Sequence, residues 1–599
     1  MGAFRKLRHA NSVPGRFLFD DGVLLIPLAA LIALSPRLLR GVSCGHDFDF
    51  HLVSWLETHQ SWSQGVVYPH WAQTPNWGAG EPRFIFYPPL TWMLGALLGY
   101  VLPWTCVAAT LVFLFLTAMG LSTRAFTRLL LPGPAATLAG ILATATPYAL
   151  FTIYERSAFG ELAASAAIPL LLLFAWRQQK PRVAESNPLV SALDGSVAPL
   201  ALVLAAIWLT NAPAGVMAGY LLAFAALASA LLHRQWWLVL RAAIAAPIGI
   251  GLAAFFLVPA IREQRWVDIR QAISVGMQIS DSWLYGHHRS LDLLLHDQVL
   301  HLVSNIVVIT VVLSSAGFLG ARLRGKLPQA SRAIWIPLAL LIPIFFFLQF
   351  QASASIWRVL PELQFLQFPW RWLSVLDLVL VIFLAAATSL ESRRSRVWSA
   401  VLWTAIVLIS VCAADKVFFQ PCDDEDAVSG QLSAFQAGTG VEGTDEYAAV
   451  GSDNSLVASG LPDGCLVSDP KQELGEGEPD ATPVWYSEQG SCDDTYAAQV
   501  WRDEHKVLRI DSDHDGFVIL HLRRYPAWEI TVNGKEVSAD TGREDGLIVA
   551  PVKAGPSLIE VRWKTTPDVL WGRVISLASL IALAAIWMIE RRWRMVHLS

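Results

Sequence analysis

The sequence predicts a polytopic α-helical membrane protein of about twelve spans, with one β-rich extracytoplasmic domain inserted before the last span. Three observations predict this class. Only 16% of the 599 residues are charged, against about 25% in soluble chains, and the mean hydropathy is +0.45. Long apolar stretches recur throughout residues 1–414 and return at 569–590. The basic clusters fall on alternate connections between those stretches.

The stretches lie near 20–40, 105–123, 134–152, 162–176, 197–211, 213–232, 239–258, 299–320, 333–350, 372–390, 398–414 and 569–590. A span needs about 20 residues, and several of these are short. Arg5, Lys6, Arg8 and Arg16 place the N-terminus inside. No small-residue cleavage site follows, so the first apolar run reads as a span rather than a signal peptide. The even-numbered connections then also lie inside. They carry Arg124 and Arg128; Arg177, Lys180 and Arg182; His233, Arg234 and Arg241; Arg322, Arg324 and Lys326; and Arg393, Arg394 and Arg396. The tail carries Arg591, Arg592 and Arg594, so both termini are expected in the cytoplasm. Residues 88–102 are apolar but short. Counting them as a span would invert every later basic cluster, so a re-entrant or interfacial segment is expected there.

The domains follow: a membrane module over 1–414 with a long first outer loop at 41–87, an extracytoplasmic domain over 415–567, and a last span with a basic tail over 568–599. In the domain, WEITVNGKEV at 528–537 alternates around Asn533-Gly534, a hairpin signal. VLRI, FVILHL and LIEVRW add strands, while 423–500 is acidic and rich in Gly and Ser. DSDHDG at 511–516 opens like a calcium loop, but position twelve is Leu522 instead of Glu, so a turn is expected. Of six cysteines, Cys422, Cys465 and Cys492 lie in this domain, where a disulfide is expected in an oxidising compartment, and no CxxC pair suggests zinc. No basic domain points to nucleic acid. No phosphate-binding GxxxxGK[ST], GxSxG, HExxH or dinucleotide fingerprint is present.

Candidate chemistry gathers on the outer connections. GHDFDFH at 45–51 sets Asp47 and Asp49 beside His46 and His51. Two such carboxylates can share a divalent cation (Mg2+ or Mn2+), or one can act as a general base. They equally suit a helix N-cap. The run at 68–90 holds Glu81, Arg83 and Tyr87 among dense aromatics, Gly and Pro. Aromatic faces stack on sugar rings, and Arg holds phosphate. YERSAFGE at 154–161 supplies Glu155, Arg156 and Glu161 at span ends, where ionisable groups are costly. QFLQFPWRWL at 364–373 supplies Trp370 and Arg371 at the mouth of a span. Snorkelling explains such an arginine blandly; a lipid phosphate explains it functionally. His287, His288 and Arg289 read as a solvated loop cluster.

This order of elements resembles the GT-C glycosyltransferases, membrane enzymes that use polyprenyl-phosphate-linked sugars. More closely, GHDFDFH, NWGAGEPRFIFYPPL, YERSAFGE, FPWRW and RRYPAWEITVNGK resemble bacterial membrane proteins labelled 6-pyruvoyl-tetrahydropterin-synthase-related. A soluble pterin enzyme has no need of twelve spans. The GT-C resemblance implies that Asp47 or Asp49 is base or metal ligand, that Glu155 or Glu161 is the second acidic group, and that Arg371 holds the donor phosphate. It implies an inverting glycosyl transfer on the outer face of a bacterial plasma membrane. The partners would be a lipid-linked sugar donor, membrane lipids and a glycan, lipid or protein acceptor. A flippase of lipid-linked glycans and a non-catalytic scaffold are the other readings. No inverted repeat is evident, and the charges gather at outer span ends, which favours an enzyme.

Overall fold

The computed structural model describes residues 22–178, 192–193, 196–389, 393–457, 459–471, 486–487, 490–491, 494–538 and 542–596. Lys180, Arg182 and Cys492 lie outside the described residues.

Among those residues, nine helices are long and apolar enough to cross a membrane, or ten if one bent pair counts as a span. They run from Trp104–Thr127 to Pro567–Arg592. Four expected spans differ from a simple rod, and the one at 134–152 is Gly133–Ala143 followed by Pro147–Tyr154. The stretch expected at 20–40 forms Leu25–Ala33 followed by Ser35–Arg40. The one at 197–211 is a helix of only 14 residues, Val197–Thr210. The one at 239–258 is broken by 72° between Trp236–Leu252 and Ala254–Trp266. The freed backbone at that break has a partner in the last helix: Ser576 Oγ accepts from the Phe255 amide at 2.8 Å and donates to the Gly251 and Leu252 carbonyls at 3.1 Å. Irregular backbone at such depth survives only with such cover.

Residues 88–102 form one helix, Pro89–Gly99, of 11 residues. At 1.5 Å per residue it reaches about 16 Å, half a hydrocarbon core. It packs against Phe48–Ser63, the helix of the first outer loop, and Gly95 lets the Trp55 ring lie flat against it.

The described strands of residues 464–563 make two larger sheets and a two-stranded pair, Tyr486–Ser487 with Gly490–Ser491. We label β1 Gly464–Val467, β2 Asp494–Tyr496, β3 Val500–Arg502, β4 His505–Ser512, β5 Gly516–Arg523, β6 Trp528–Val532, β7 Lys535–Glu536, β8 Leu547–Val552 and β9 Gly555–Trp563. One sheet has the order β8-β5-β1-β2 and the other β3-β4-β9-β6-β7. Leu508, Ile510, Ile530 and Ile559 of one meet Val518, Leu520, Ile548 and Ala550 of the other in a shared core. β5 is apolar on both sides because Ile519 and Val549 pack a second cluster against Val457 and Leu461. The β6–β7 hairpin turns at Asn533 and Gly534, both at positive φ, as the Asn-Gly pair predicts. DSDHDG is the link between β4 and β5, which belong to different sheets.

Cys465 of the soluble domain is disulfide-bonded, as expected there. Cys422 pairs with Cys44, 378 residues away, instead of with a cysteine of its own domain. The two are far apart in sequence, so only the tertiary fold brings them together.

Candidate functional site

Asp47 stands at the N-cap position of Phe48–Ser63, yet its side chain makes no cap hydrogen bond. It turns to Arg156, with Oδ2 3.4 Å from Nη2. The backbone sets this up. The Asp47 amide donates to the Arg156 carbonyl at 2.9 Å and the His46 amide to the Glu155 carbonyl at 3.4 Å. Gly45 is required for the approach, because a Cβ there would collide with the Glu155 and Arg156 backbone. Gly45→Ala is expected to cost about 1–3 kcal/mol through forced overpacking, read as a lowered midpoint of thermal unfolding of the purified protein.

The loop between Pro147–Tyr154 and Phe159–Trp176 bends sharply. Ser157 has φ +51°, held there by its own hydroxyl bond to the Ser43 carbonyl at 2.8 Å and by Arg37 at 3.0 Å. The bend carries Arg156 back over the first turn of Phe159–Trp176, where its Nη1 donates to Glu161 Oε2 at 2.6 Å. Tyr148 donates to the other oxygen, Oε1. Arg371 sits in the turn Pro369–Trp372 that leads into Leu373–Thr388, with Nε 3.5 Å from the same Glu161 Oε2. Phe368 covers both guanidinium groups, 5.2 Å from Arg371 and 5.8 Å from Arg156, and stacks on Trp370 at 4.5 Å. Asp47, Arg156, Glu161, Arg371 and Trp370 therefore converge. Tyr87 stands nearby, with its hydroxyl 3.5 Å from His51 Nε2 and its ring against Phe50.

Arg371 is only 7% exposed. Its Nε and Nη1 have no hydrogen-bond partner, and neither have Nε1 of Trp370 or Trp372. Buried donors without acceptors are expensive, and charged ones most of all. One residue on, Trp372 stacks on Phe345 at 4.4 Å and walls an apolar cavity of about 550 Å³ between spans, lined also by Tyr220, Phe224 and Leu363. Trp372 lines that cavity, while Arg371, one residue earlier, turns to Glu161.

The remaining candidates lie apart from this cluster. Asp49 faces a second, polar cavity of about 360 Å³, bounded by Arg83, Gln271, Gln367, Gln431 and Glu446. Enclosure pushes the Asp49 carboxyl above the ordinary range, as do the charges of Asp426 and Asp47, while Arg83 opposes them. Glu155 accepts from Gln420 Nε2 at 2.6 Å, which ties it to the root of the soluble domain. His46 is exposed beside it, whereas His51 is fully buried between Trp55 and Phe159. Burial pushes His51 down to about 4, so it is a neutral wall residue.

Glu81 and Arg83 satisfy each other at 2.6 Å. Glu81 also accepts from the Thr444 amide at 2.8 Å, and Arg83 lies over Phe50 at 4.1 Å. Asn76 and Trp71 of the same run meet Arg523 and Trp528. NWGAGEPRF and RRYPAWEITV are thus two sides of one interface between the first loop and the soluble domain. Their aromatic density comes from that packing.

Asp47 is engaged by a guanidinium, and no group of three His, Cys, Asp or Glu side chains suited to a metal ion occurs among the described residues. Sequence reasoning missed Tyr148, Phe368 and Gln420. None carries a charge, and only their non-local contacts reveal them.

A family model described as "6-pyruvoyl-tetrahydropterin synthase related domain; membrane protein" matches residues 84–418, more than half of the chain. No curated protein matches the sequence. Among solved structures, the apo oligosaccharyltransferase of Archaeoglobus fulgidus is similar with a TM-score of 0.40 and 12% identity, over 72% of this chain and 61% of that one. The mycobacterial arabinofuranosyltransferase AftD gives 0.39 and 18%, over 68% and 27%. The Archaeoglobus fulgidus oligosaccharyltransferase AglB, solved with an inhibitory peptide and a dolichol-phosphate, gives 0.40 and 13%, over 67% and 56%. This chain spans less than two thirds of each of those chains.

Proposed function

The chain belongs to the 6-pyruvoyl-tetrahydropterin synthase related family of membrane proteins, and from that premise and the charged cluster we propose a membrane glycosyltransferase of GT-C type. It takes its sugar from a polyprenyl-phosphate donor on the outer face, with both termini in the cytoplasm. The observation that carries the reading is Arg371: a buried guanidinium whose Nη1 has no partner and whose Nε reaches Glu161 only at 3.5 Å, next in sequence to Trp372 of an apolar groove. A lipid phosphate supplies the acceptor oxygens those donors lack, and its tail suits the groove.

In this mechanism Arg371 and Arg156 hold the phosphate, and Glu161 orients both. Asp47 is the base. It takes the proton from an acceptor hydroxyl as that oxygen bonds to the anomeric carbon. The bond from that carbon to the phosphate oxygen breaks, and its electron pair leaves on the phosphate. Attack opposite the leaving group inverts the anomeric centre. The guanidinium groups stabilise the negative charge that grows on the departing oxygen. Trp370 and Tyr87 offer faces to the sugar ring. The polar cavity beside Asp49 admits the acceptor hydroxyl, with the soluble domain as its roof.

The test is transfer by the full chain in lipid nanodiscs, with a polyprenyl-phosphate-linked sugar donor and glycan or lipid acceptors. Asp47→Asn keeps the shape but removes the base, and the expected loss is about 10²-fold in turnover. Wild-type turnover from Asp47→Asn would remove the catalytic role.

A further inference from the structure

The segment that delivers Asp47 has no regular secondary structure: residues 41–45 are neither helix nor strand. It is fixed from two sides. On one side lies the loop after Pro147–Tyr154, where Ser43 Oγ donates to the Tyr154 carbonyl at 2.6 Å. On the other lies the irregular segment that leaves the helix Arg393–Val417 for the soluble domain. There the Cys44 amide donates to the Gln420 carbonyl at 2.9 Å, the Gln420 amide donates to Ser43 Oγ at 2.9 Å, and Gln420 Nε2 holds Glu155. Arg40 reaches Asp415 at 2.9 Å and lies over Phe419 at 4.1 Å. The Cys44–Cys422 bond closes this three-way junction, three residues before Asp47 and two after Gln420.

We infer that the Cys44–Cys422 disulfide is a positioning element of the transfer site, which holds Asp47 against Arg156 and makes activity depend on oxidation. This rests on the glycosyltransferase reading. The physical reason is the register of the junction. Direct hydrogen bonds align residues 43–47 with 154–157, and Gln420 clamps both from the other side through Ser43, Cys44 and Glu155. Residue 420 belongs to the root of a large domain, and the covalent bond keeps that root in place. Without it, the ends of a 378-residue connection meet only through non-covalent contacts. Arg371 and the apolar groove stand on other elements, so donor binding does not share the dependence. Both cysteines are half-buried, within reach of a small dithiol. A dithiol passes two electrons and two protons to the bond; Cys44 and Cys422 become thiols and the dithiol becomes a disulfide.

The experiment uses the full chain in nanodiscs in four states: oxidised, reduced with dithiothreitol, reoxidised, and Cys44→Ser/Cys422→Ser. The expected result is at least tenfold faster amide hydrogen exchange at 43–50 and 418–424 on reduction. Turnover falls at least tenfold, and the KM for the polyprenyl-phosphate donor changes less than twofold. Reoxidation restores the wild type and leaves the double variant impaired. Unchanged exchange at 43–50, or unchanged turnover after complete reduction, overturns the inference. Absence of transfer in the oxidised wild type would strike the glycosyltransferase reading, and the exchange measurement alone would then decide whether the bond positions Asp47. Cys44→Ser alone, which leaves the disulfide of Cys465 in place, keeps the test valid if the double variant does not fold.

Discussion

Arg371→Met is expected to lower turnover on the order of 10³-fold while the protein remains folded and in the membrane. The substitution keeps the length and apolar body of the side chain but removes the charge that faces the phosphate. Two features make this a large effect. Arg371 shares Glu161 with Arg156, so one carboxylate serves two guanidinium groups, and the second is Arg371's own neighbour in repulsion. Removing Arg371 relaxes that crowding in the resting protein, so the variant should unfold no more easily than the wild type. The departing phosphate, by contrast, loses a pre-set donor in a dry site, where such a donor is worth most. Arg371→Lys should recover little, because an ammonium does not present two parallel donors. Transfer assays paired with thermal unfolding separate the two quantities. A variant with near wild-type turnover would remove Arg371 from the mechanism.

The second large effect concerns how the soluble domain sits on the first loop. Lys506 in β4 is 1% exposed. Its Nζ donates to the Arg502 and Asp503 carbonyls at 2.8 and 3.0 Å and lies over Trp528 at 4.6 Å. Asp503 accepts from Ser61 of the first-loop helix, and Glu57 on that helix is fully buried with one oxygen unpartnered. Lys506→Ala strands the buried Arg502 and Asp503 carbonyls and removes the amine packed on Trp528, and the expected loss is about 1–3 kcal/mol, read by unfolding or by proteolysis between the first loop and the domain.

The same cluster sets a pH dependence. Burial and the Asp503 charge push Glu57 from 4.5 up to about 7. Its folded-state value is raised, so its contribution is complete below 4.5 and is lost as pH rises through about 7. Burial pushes Lys506 down to about 7, so its own contribution grows only above that pH. Docking should therefore weaken between pH 5 and 7, seen as faster amide exchange in β3 and β4. Glu57→Gln should flatten that window. An unchanged slope in the variant would assign it to other groups.

How much of this was readable beforehand varies by element. The membrane class, the helix rich in His and Asp after the first span, and the Asn533-Gly534 hairpin follow from patterns a few residues long. The charged residues of YERSAFGE and FPWRW stood out for being ionisable at span ends. Which of two carboxylates mattered at each place did not. Asp47 and Asp49 are two residues apart and chemically equal, yet one meets Arg156 and the other faces a polar cavity. Glu155 and Glu161 divide in the same way, one to Gln420 and one to two arginines. Glu81 and Arg83 looked like ligands for a sugar phosphate and are a buried pair that secures a domain interface.

The sequence by itself determined the solvent: long apolar runs with arginine between them dictate helices in a bilayer, because hydropathy and backbone satisfaction act locally. It also determined which residue types are available for chemistry. Only the tertiary structure decided that Cys44 bonds Cys422, that Glu161 serves two arginines, and that Trp372 opens the apolar groove beside Arg371. Those outcomes depend on contacts between segments that are distant in the chain. Such contacts are fixed by the packing of the whole helix bundle, and no local pattern records them.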